Sequence, residues 1–221
     1  MHFIQRYLRP GDNFIDIGSN IGQYSLLASS VVGSSGSVSA FEPVPQTLDR
    51  LKENIDRNHL TQVTIFPMAL GEKSEFIEFT IVGDAVSHIS SPDELLQDSR
   101  DSKIKVLCCC LDDVLQNRPY AMAKIDVEGG ELSVLKGAQR LLSQSNPPVL
   151  MLEINGAFKR YGLTKQDIVQ HLDQLGYSSA LYNADANELT FTDEIWGDVL
   201  FISRNHTTQV LERIQTANSA C

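Results

Sequence analysis

The chain has 221 residues, 42% of them apolar and 21% charged, and a formal net charge of −10 at pH 7. That is enough apolar sequence for the core of one α/β domain, and the acidic balance, with no block of Lys or Arg, gives a nucleic-acid or membrane partner little electrostatic support. No run reaches the ~18 apolar residues of a spanning helix, the N-terminus lacks a signal-peptide core, and Cys108, Cys109, Cys110 and Cys221 form no CxxC pair, so zinc knuckles and disulfide frameworks are not indicated and a reduced, cytoplasmic compartment is expected.

Taken in chain order, NFIDIGS (13–19) reads as a buried strand and residues 21–32 as the helix after it. GSVSAFEP is a second strand, ending in Glu42 and stopped by Pro43. The next helix carries Val44, Leu48, Leu51 and Ile55 on one face at helical spacing. QVTIFPMALG supplies a third strand and a turn. This alternation with short links is the pattern of a parallel sheet covered by helices on both faces. The middle of the chain differs. Strict alternation puts Ile77, Phe79 and Ile81 on one side of a strand, and Ile104, Val106, Cys108 and Cys110 on one side of another. The polar residues between them make a long loop, expected to act as a lid or a substrate-recognition element. The parallel pattern then resumes. YAMAKIDVEGG is a strand ending at Asp126, with a helix through Leu132, Leu135, Ala138 and Leu142 after it. PPVLMLEIN is a strand ending at Glu153. Thr164 and Asp167 are spaced to cap a helix through Ile168, Leu172 and Leu175. YSSALYN and DVLFISR would be closing strands, and the polar tail from Asn205 a frayed helix.

The turn in DIGSNIG decides the chemistry. A phosphate-binding P-loop needs Lys-Ser or Lys-Thr to close it, and Gln23-Tyr24 stands there instead. A dinucleotide fingerprint needs a glycine two after the first, and that position is Asn20, whose side chain would crowd a pyrophosphate. NAD and FAD are therefore disfavoured. A cofactor without phosphate suits the turn better. S-adenosylmethionine carries an ammonium that the Asp16 carboxylate or the Gly18 carbonyl could accept, and a carboxylate for the donors around the turn. Gly18 and Gly22 let the backbone bend and the helix approach, and Asn20 becomes a polar contact. Glu42, 20 residues after Gly22 at a strand end, can accept both ribose hydroxyls.

FIDIGSNIGQYSLLAS, VSAFEPVP, VTIFPMALGEKS, KIDVEGGELSVLKGAQ and VLMLEIN stand in the order found in the FkbM-type methyltransferases, and the chain resembles that family from about Leu8 to Phe201. The resemblance implies a class I, S-adenosylmethionine-dependent enzyme with a Rossmann-like, mostly parallel seven-stranded sheet. It also implies methylation of oxygen, often a hydroxyl of a sugar or other small molecule. Asp16, Gly18, Asn20 and Gly22 then match the cofactor turn, Glu42 the ribose-binding acid, and Met68 and Ala69 the position that contacts the adenine edge. Asp126 and Glu128 match the acidic pair after the fourth strand. One methyltransferase domain is expected over 1–204, with inserted strands and loop at 75–112, and a polar tail over 205–221. Such enzymes often have more sequence ahead of the first strand, so MHFIQRYL is expected either to serve as a short cap or to be what remains of a trimmed N-terminus.

Asp16, Glu42, Asp126 and Glu153 all fall at strand ends, hence on one rim, where open α/β sheets bind ligands. Asp126 is the first choice for general base or acceptor-orienting residue, Glu128 the second and the loop residue His88 a third. A metal variant would use the oxygens of Asp126, Glu153 and Asn155, a set that suits Mg2+; the reading adopted is metal-free. Glu128 and Glu131 could instead do no more than cap the following helix. A nucleotide-cofactor oxidoreductase and a non-catalytic cofactor-binding module are the competing functions. Gly18→Val is expected to abolish cofactor binding and spare the fold.

Overall fold

The computed structural model describes residues 1–82, 86–90 and 102–216. A short helix α1 (His2–Tyr7) leads into β1 (Asn13–Ile17), α2 (Gln23–Val32), β2 (Ser37–Phe41), α3 (Pro45–Arg57) and β3 (Val63–Phe66). The first two strands are apolar runs buried on both faces, as a sheet covered on both sides requires. Helix α3 opens on Pro45, tolerated in a first turn, and buries Leu48, Leu51 and Ile55. The strands β4 (Ala69–Leu70), β5 (Glu75–Val82), β6 (Val86–Ile89) and β7 (Ser102–Cys109) follow, then a helical turn α4 (Leu111–Val114). Next come β8 (Met122–Ile125), α5 (Glu131–Lys136), α6 (Gln139–Ser143) and β9 (Val149–Ile154). A 3-10 helix (Ala157–Tyr161), α7 (Lys165–Gln174), β10 (Tyr177–Asn183), β11 (Glu188–Phe191), β12 (Gly197–Ser203) and α8 (Thr207–Gln215) complete the described chain.

The main sheet has the order β11-β10-β12-β9-β8-β1-β2-β3. Strands β3, β2, β1, β8 and β9 are parallel to their neighbours, and β12 runs antiparallel between β9 and β10. The strand order reverses between β1 and β8, which opens a crevice at their carboxyl ends. Seven of these strands form the expected sheet. The eighth, β11, pairs with β10 in a hairpin; its four residues are mostly exposed, and the alternation of Leu189 and Phe191 is too short to announce a strand.

The inserted region is more regular than expected. It forms a second sheet in the order β4-β7-β5-β6, so a strand, β6, lies inside the stretch read as loop. The alternation itself holds: Ile77, Phe79 and Ile81 pack with Ile104, Val106 and Cys108 against Val44 and Ala69. Residues 83–85 and 91–101 of the long loop lie outside the described residues.

Two helices differ from expectation. The helix through Leu132 and Leu142 breaks at Gly137, where a Cβ would lie 1.9 Å from the carbonyl oxygen of Gly71, so the close passage of that backbone demands glycine. The polar tail is not frayed over residues 207–215. Helix α8 packs against α1, and its Val210 and Ile214 are fully buried with Phe3, Ile4 and Leu8. Arg213 donates two bonds to Asp12, at 2.8 and 2.9 Å, and lies over the Tyr7 ring. Helix α1 thus serves this clasp, and none of its residues lines the cleft described below. Ile214→Ala is expected to cost about 2–5 kcal/mol of folding stability, as for other buried Ile and Leu truncations, measurable by urea unfolding. Among the described residues no helix is long and apolar enough to cross a membrane.

Candidate active site

The turn between β1 and α2 is built by close approach. The N–H groups of Gly18 and Ser19 both donate to the Phe41 carbonyl, at 3.1 and 2.9 Å. Gly18 has φ +76, and a Cβ there would lie 1.8 Å from the Asp126 carbonyl oxygen, so the β1 and β8 ends can meet only over a glycine. Gly18→Ala is therefore expected to destabilise by more than the ~1–3 kcal/mol of ordinary overpacking, because backbone, unlike a side chain, cannot rotate away. Chemical unfolding of the variant measures this, and by the same reasoning Gly18→Val would not spare the fold. Gly22, φ +94, serves packing: its Cβ would meet Leu51 at 2.6 Å, and it does not line the cleft.

Asp16 also stands behind the turn rather than in the cleft. It is fully buried; Oδ2 accepts from Ser25 Oγ at 2.6 Å, while Oδ1 has no hydrogen-bond partner among the described residues. Burial pushes its carboxyl above the usual range, opposed by the charge of Lys124.

Glu42, at the end of β2, is 6% exposed. Its Oε2 accepts from Asn20 N–H at 3.1 Å and its Oε1 from Val44 N–H at 2.9 Å. Asn20 reaches this geometry with φ +50, a left-handed conformation that asparagine tolerates. Burial pushes the Glu42 carboxyl up to about 7, against the pull of the two amides.

Glu42 lies in a cleft of about 110 Å³ that opens to solvent through a wider mouth. The cleft gathers Gly18, Asn20, Glu42, Met68 and Ala69 with Asp126 and Glu128 from the loop after β8. Val44, Phe79 and Ile89 also line it, the last two from the small sheet. The inserted strands therefore wall the cleft.

On the acidic side, Asp126 Oδ2 takes a 2.7 Å bond from the Lys124 ammonium, whose side chain is 3% exposed. Lys124 lies under the Tyr24 ring, 4.4 Å from its centre, and opposite Asp16 in the sheet register. Glu153 is pushed up to about 7, first by burial and then by the neighbouring carboxylates of Asp126 and Glu128. One oxygen from each of Asp126, Glu128 and Glu153 falls within 4.8 Å of the others. Asn155, expected to be a third oxygen ligand beside Asp126 and Glu153, is otherwise engaged. It donates to Glu153 Oε2 at 3.0 Å, and its own oxygen accepts from Ala157 N–H at 2.9 Å. His88 lies on β6, but its side chain falls outside the described residues.

The family described as Methyltransferase FkbM domain matches residues 16–179, from β1 into β10. The chain belongs to the FkbM methyltransferase family. It is 29% identical over 188 residues to the hexuronic acid methyltransferase AglP of Haloferax volcanii, a match covering 78% of this chain and 66% of that one. The FkbM methyltransferase structure from Methylobacillus flagellatus superposes with a TM-score of 0.59 at 19% identity, over 88% of this chain and 44% of that chain. A Streptococcus mutans protein solved in complex with S-adenosylhomocysteine gives a TM-score of 0.51 at 13% identity, over 90% and 92%. The chain thus spans less than two thirds of the first two relatives, and its fold is that of the class I S-adenosylmethionine-dependent methyltransferases.

In this FkbM chain the stretch KIDVEGGE contributes more than the two acids read from it. Lys124 was missed as a site residue, although a lysine inside an apolar strand was visible as an anomaly. Glu131, 2% exposed, accepts from the N–H groups of Val127 and Gly129 at 3.3 and 3.1 Å and so shapes the loop that presents Asp126 and Glu128. Glu128 is held in the cleft wall at φ +53.

Proposed function

We propose that the protein is an S-adenosylmethionine-dependent O-methyltransferase that acts on a hydroxyl of a sugar or other small molecule. The observation that carries this reading is one cleft with a buried carboxylate, Glu42, on its cofactor side and Asp126 and Glu128 facing it. Membership of the FkbM family, the S-adenosylhomocysteine bound by the Streptococcus mutans protein and the sugar substrate of the Haloferax relative support it.

Bound cofactor would supply an electrophilic methyl on a sulfonium. Glu42 would accept the ribose hydroxyls, and Met68, Ala69 and Phe79, which line the same cleft, would pack around the adenine. Asp126 orients the acceptor hydroxyl and takes its proton as its oxygen gains the methyl. Lys124 holds Oδ2 of Asp126 in place for that transfer. Alignment of this kind recovers roughly 7–11 kcal/mol of barrier, and a general base adds about 10²–10⁴-fold.

Thermal unfolding with S-adenosylmethionine, S-adenosylhomocysteine or NAD added separately tests the cofactor. At ~100 times its dissociation constant a ligand stabilises by about 2.7 kcal/mol, a rise of roughly 5–10 °C for a chain of this size. The two sulfur cofactors are expected to give that rise and NAD none; a rise with NAD alone would favour the oxidoreductase reading.

A further inference from the structure

Among the described residues that line the Glu42 cleft none is a lysine, arginine or histidine, while Glu42, Asp126 and Glu128 are acids. Two cations approach the acidic end from outside that lining, and neither neutralises Glu128. The Lys124 ammonium is bound to Asp126 Oδ2 at 2.7 Å beneath the Tyr24 ring. The Arg160 guanidinium donates to the backbone carbonyl of Glu128 at 3.2 Å. Among the described residues no ion pair reaches the Glu128 carboxylate.

The acids are also crowded. An oxygen of Glu128 falls within 4.8 Å of oxygens of Asp126 and Glu153, and Glu153 stands opposite a further acid, Asp198, in the β9–β12 register. Like charges at that spacing repel, in keeping with the rise of the Glu153 carboxyl to about 7 by burial and by Asp126 and Glu128. This end of the cleft therefore carries negative charge that the protein does not offset, and a cation entering it would relieve the repulsion. S-adenosylmethionine carries one more positive charge than S-adenosylhomocysteine, on its sulfonium.

We infer that Glu128, with Glu153 behind it, is the specificity-determining pair that holds the sulfonium form of the cofactor in preference to its demethylated product. This rests on the methyltransferase reading above, with the sulfur turned toward Asp126 and Glu128. A cation taken out of water is costly unless opposite charge meets it, so a cleft without these acids would favour the neutral product. Methyl transfer makes the C–O bond and breaks the C–S bond, leaves that electron pair on a neutral sulfur and sends the acceptor proton to Asp126. Once that proton reaches solvent, Glu128 faces an uncharged ligand and the product is released.

Calorimetric titration of the whole protein with S-adenosylmethionine, S-adenosylhomocysteine and sinefungin tests this; sinefungin bears an ammonium where the methylated sulfur stands. The first two share ribose, adenine and amino acid, so what Glu42 contributes cancels in their ratio. The wild type is expected to bind S-adenosylmethionine about tenfold more tightly than S-adenosylhomocysteine, with sinefungin near the former. Glu128→Gln keeps the size and removes the charge, and should bring the ratio close to one while S-adenosylhomocysteine binds as before. Glu153→Gln should lower the ratio by less, and it carries the test should Glu128→Gln fail to fold. Equal binding of the two by the wild type, or an undiminished ratio in either variant, would overturn the inference and leave the methyltransferase reading standing. Binding of neither by the wild type would overturn that reading, and the inference with it.

Discussion

Asp126→Asn is expected to lower methyl transfer by about 10²–10⁴-fold, the usual contribution of a general base, while S-adenosylhomocysteine still binds. Lys124 explains why asparagine is the right substitution. The lysine is buried, and it donates a 2.7 Å bond to Asp126 Oδ2. Asparagine can keep an acceptor there, whereas Asp126→Ala would leave a buried cation with no hydrogen-bonding carboxylate, beside the Tyr24 ring and opposite Asp16 in the sheet. Breaking a buried ion pair costs about 3–5 kcal/mol, and the 30% exposure of Asp126 puts the alanine variant toward the lower end. The two variants therefore separate chemistry from stability: asparagine should lose turnover with little change in melting, and alanine should lose both. Turnover against melting temperature for the pair decides it. A rate unchanged in Asp126→Asn would remove Asp126 from the chemistry.

Glu42→Gln should weaken cofactor binding by roughly 10–150-fold, the equivalent of one hydrogen bond to a charged group at ~1.5–3 kcal/mol. The amide offers donors where the ribose needs acceptors, and it can serve only one of the Asn20 and Val44 N–H groups that the carboxylate now serves together. Wild-type binding should also depend on pH. Glu42 titrates at about 7 in the free protein, and the ionised form accepts from the ribose, so affinity should rise as pH rises through 7 and weaken below it. Folding carries the opposite sign. The native carboxyl holds its proton between its ordinary 4.5 and about 7, so its contribution to stability is greatest at low pH and falls as pH rises through that window. Calorimetry of S-adenosylhomocysteine binding from pH 6 to 8, set against melting of the free protein, reads both slopes.

Much of the Glu42 side of the cleft was legible because it is local in sequence. A strand, a glycine turn and a strand-terminal acid at a fixed offset single out Gly18, Asn20 and Glu42, the FkbM resemblance adds Met68, Ala69, Asp126 and Glu128, and all seven line one cleft. What escaped depends on contacts distant in sequence. Asp16 sits at a strand end like the others, but its side chain turns to Ser25 and away from the cleft, and strand alternation alone does not say which ligand a strand-end residue meets. Phe79 and Ile89 were visible as core of the insert, yet only the docking of the small sheet on Val44 and Ala69 puts them in the cleft wall. The α8 helix has just Val210 and Ile214 buried in a polar run, too few apolar residues for periodicity to announce its packing on α1. Asn155 looked like a ligand by position, but its oxygen accepts from Ala157 N–H, in a turn that the Asn155-Gly156 pair already marks.

In the proposed complex one cleft holds the cofactor on Glu42 and turns its reactive end toward Asp126. Crystallising the protein with S-adenosylhomocysteine tests it most directly. Ribose hydroxyls are expected on the Glu42 carboxylate, adenine among Met68, Ala69 and Phe79, and the sulfur facing Asp126 and Glu128. A nucleoside bound with its ribose away from Glu42, or a sulfur turned from the acidic loop, would contradict it.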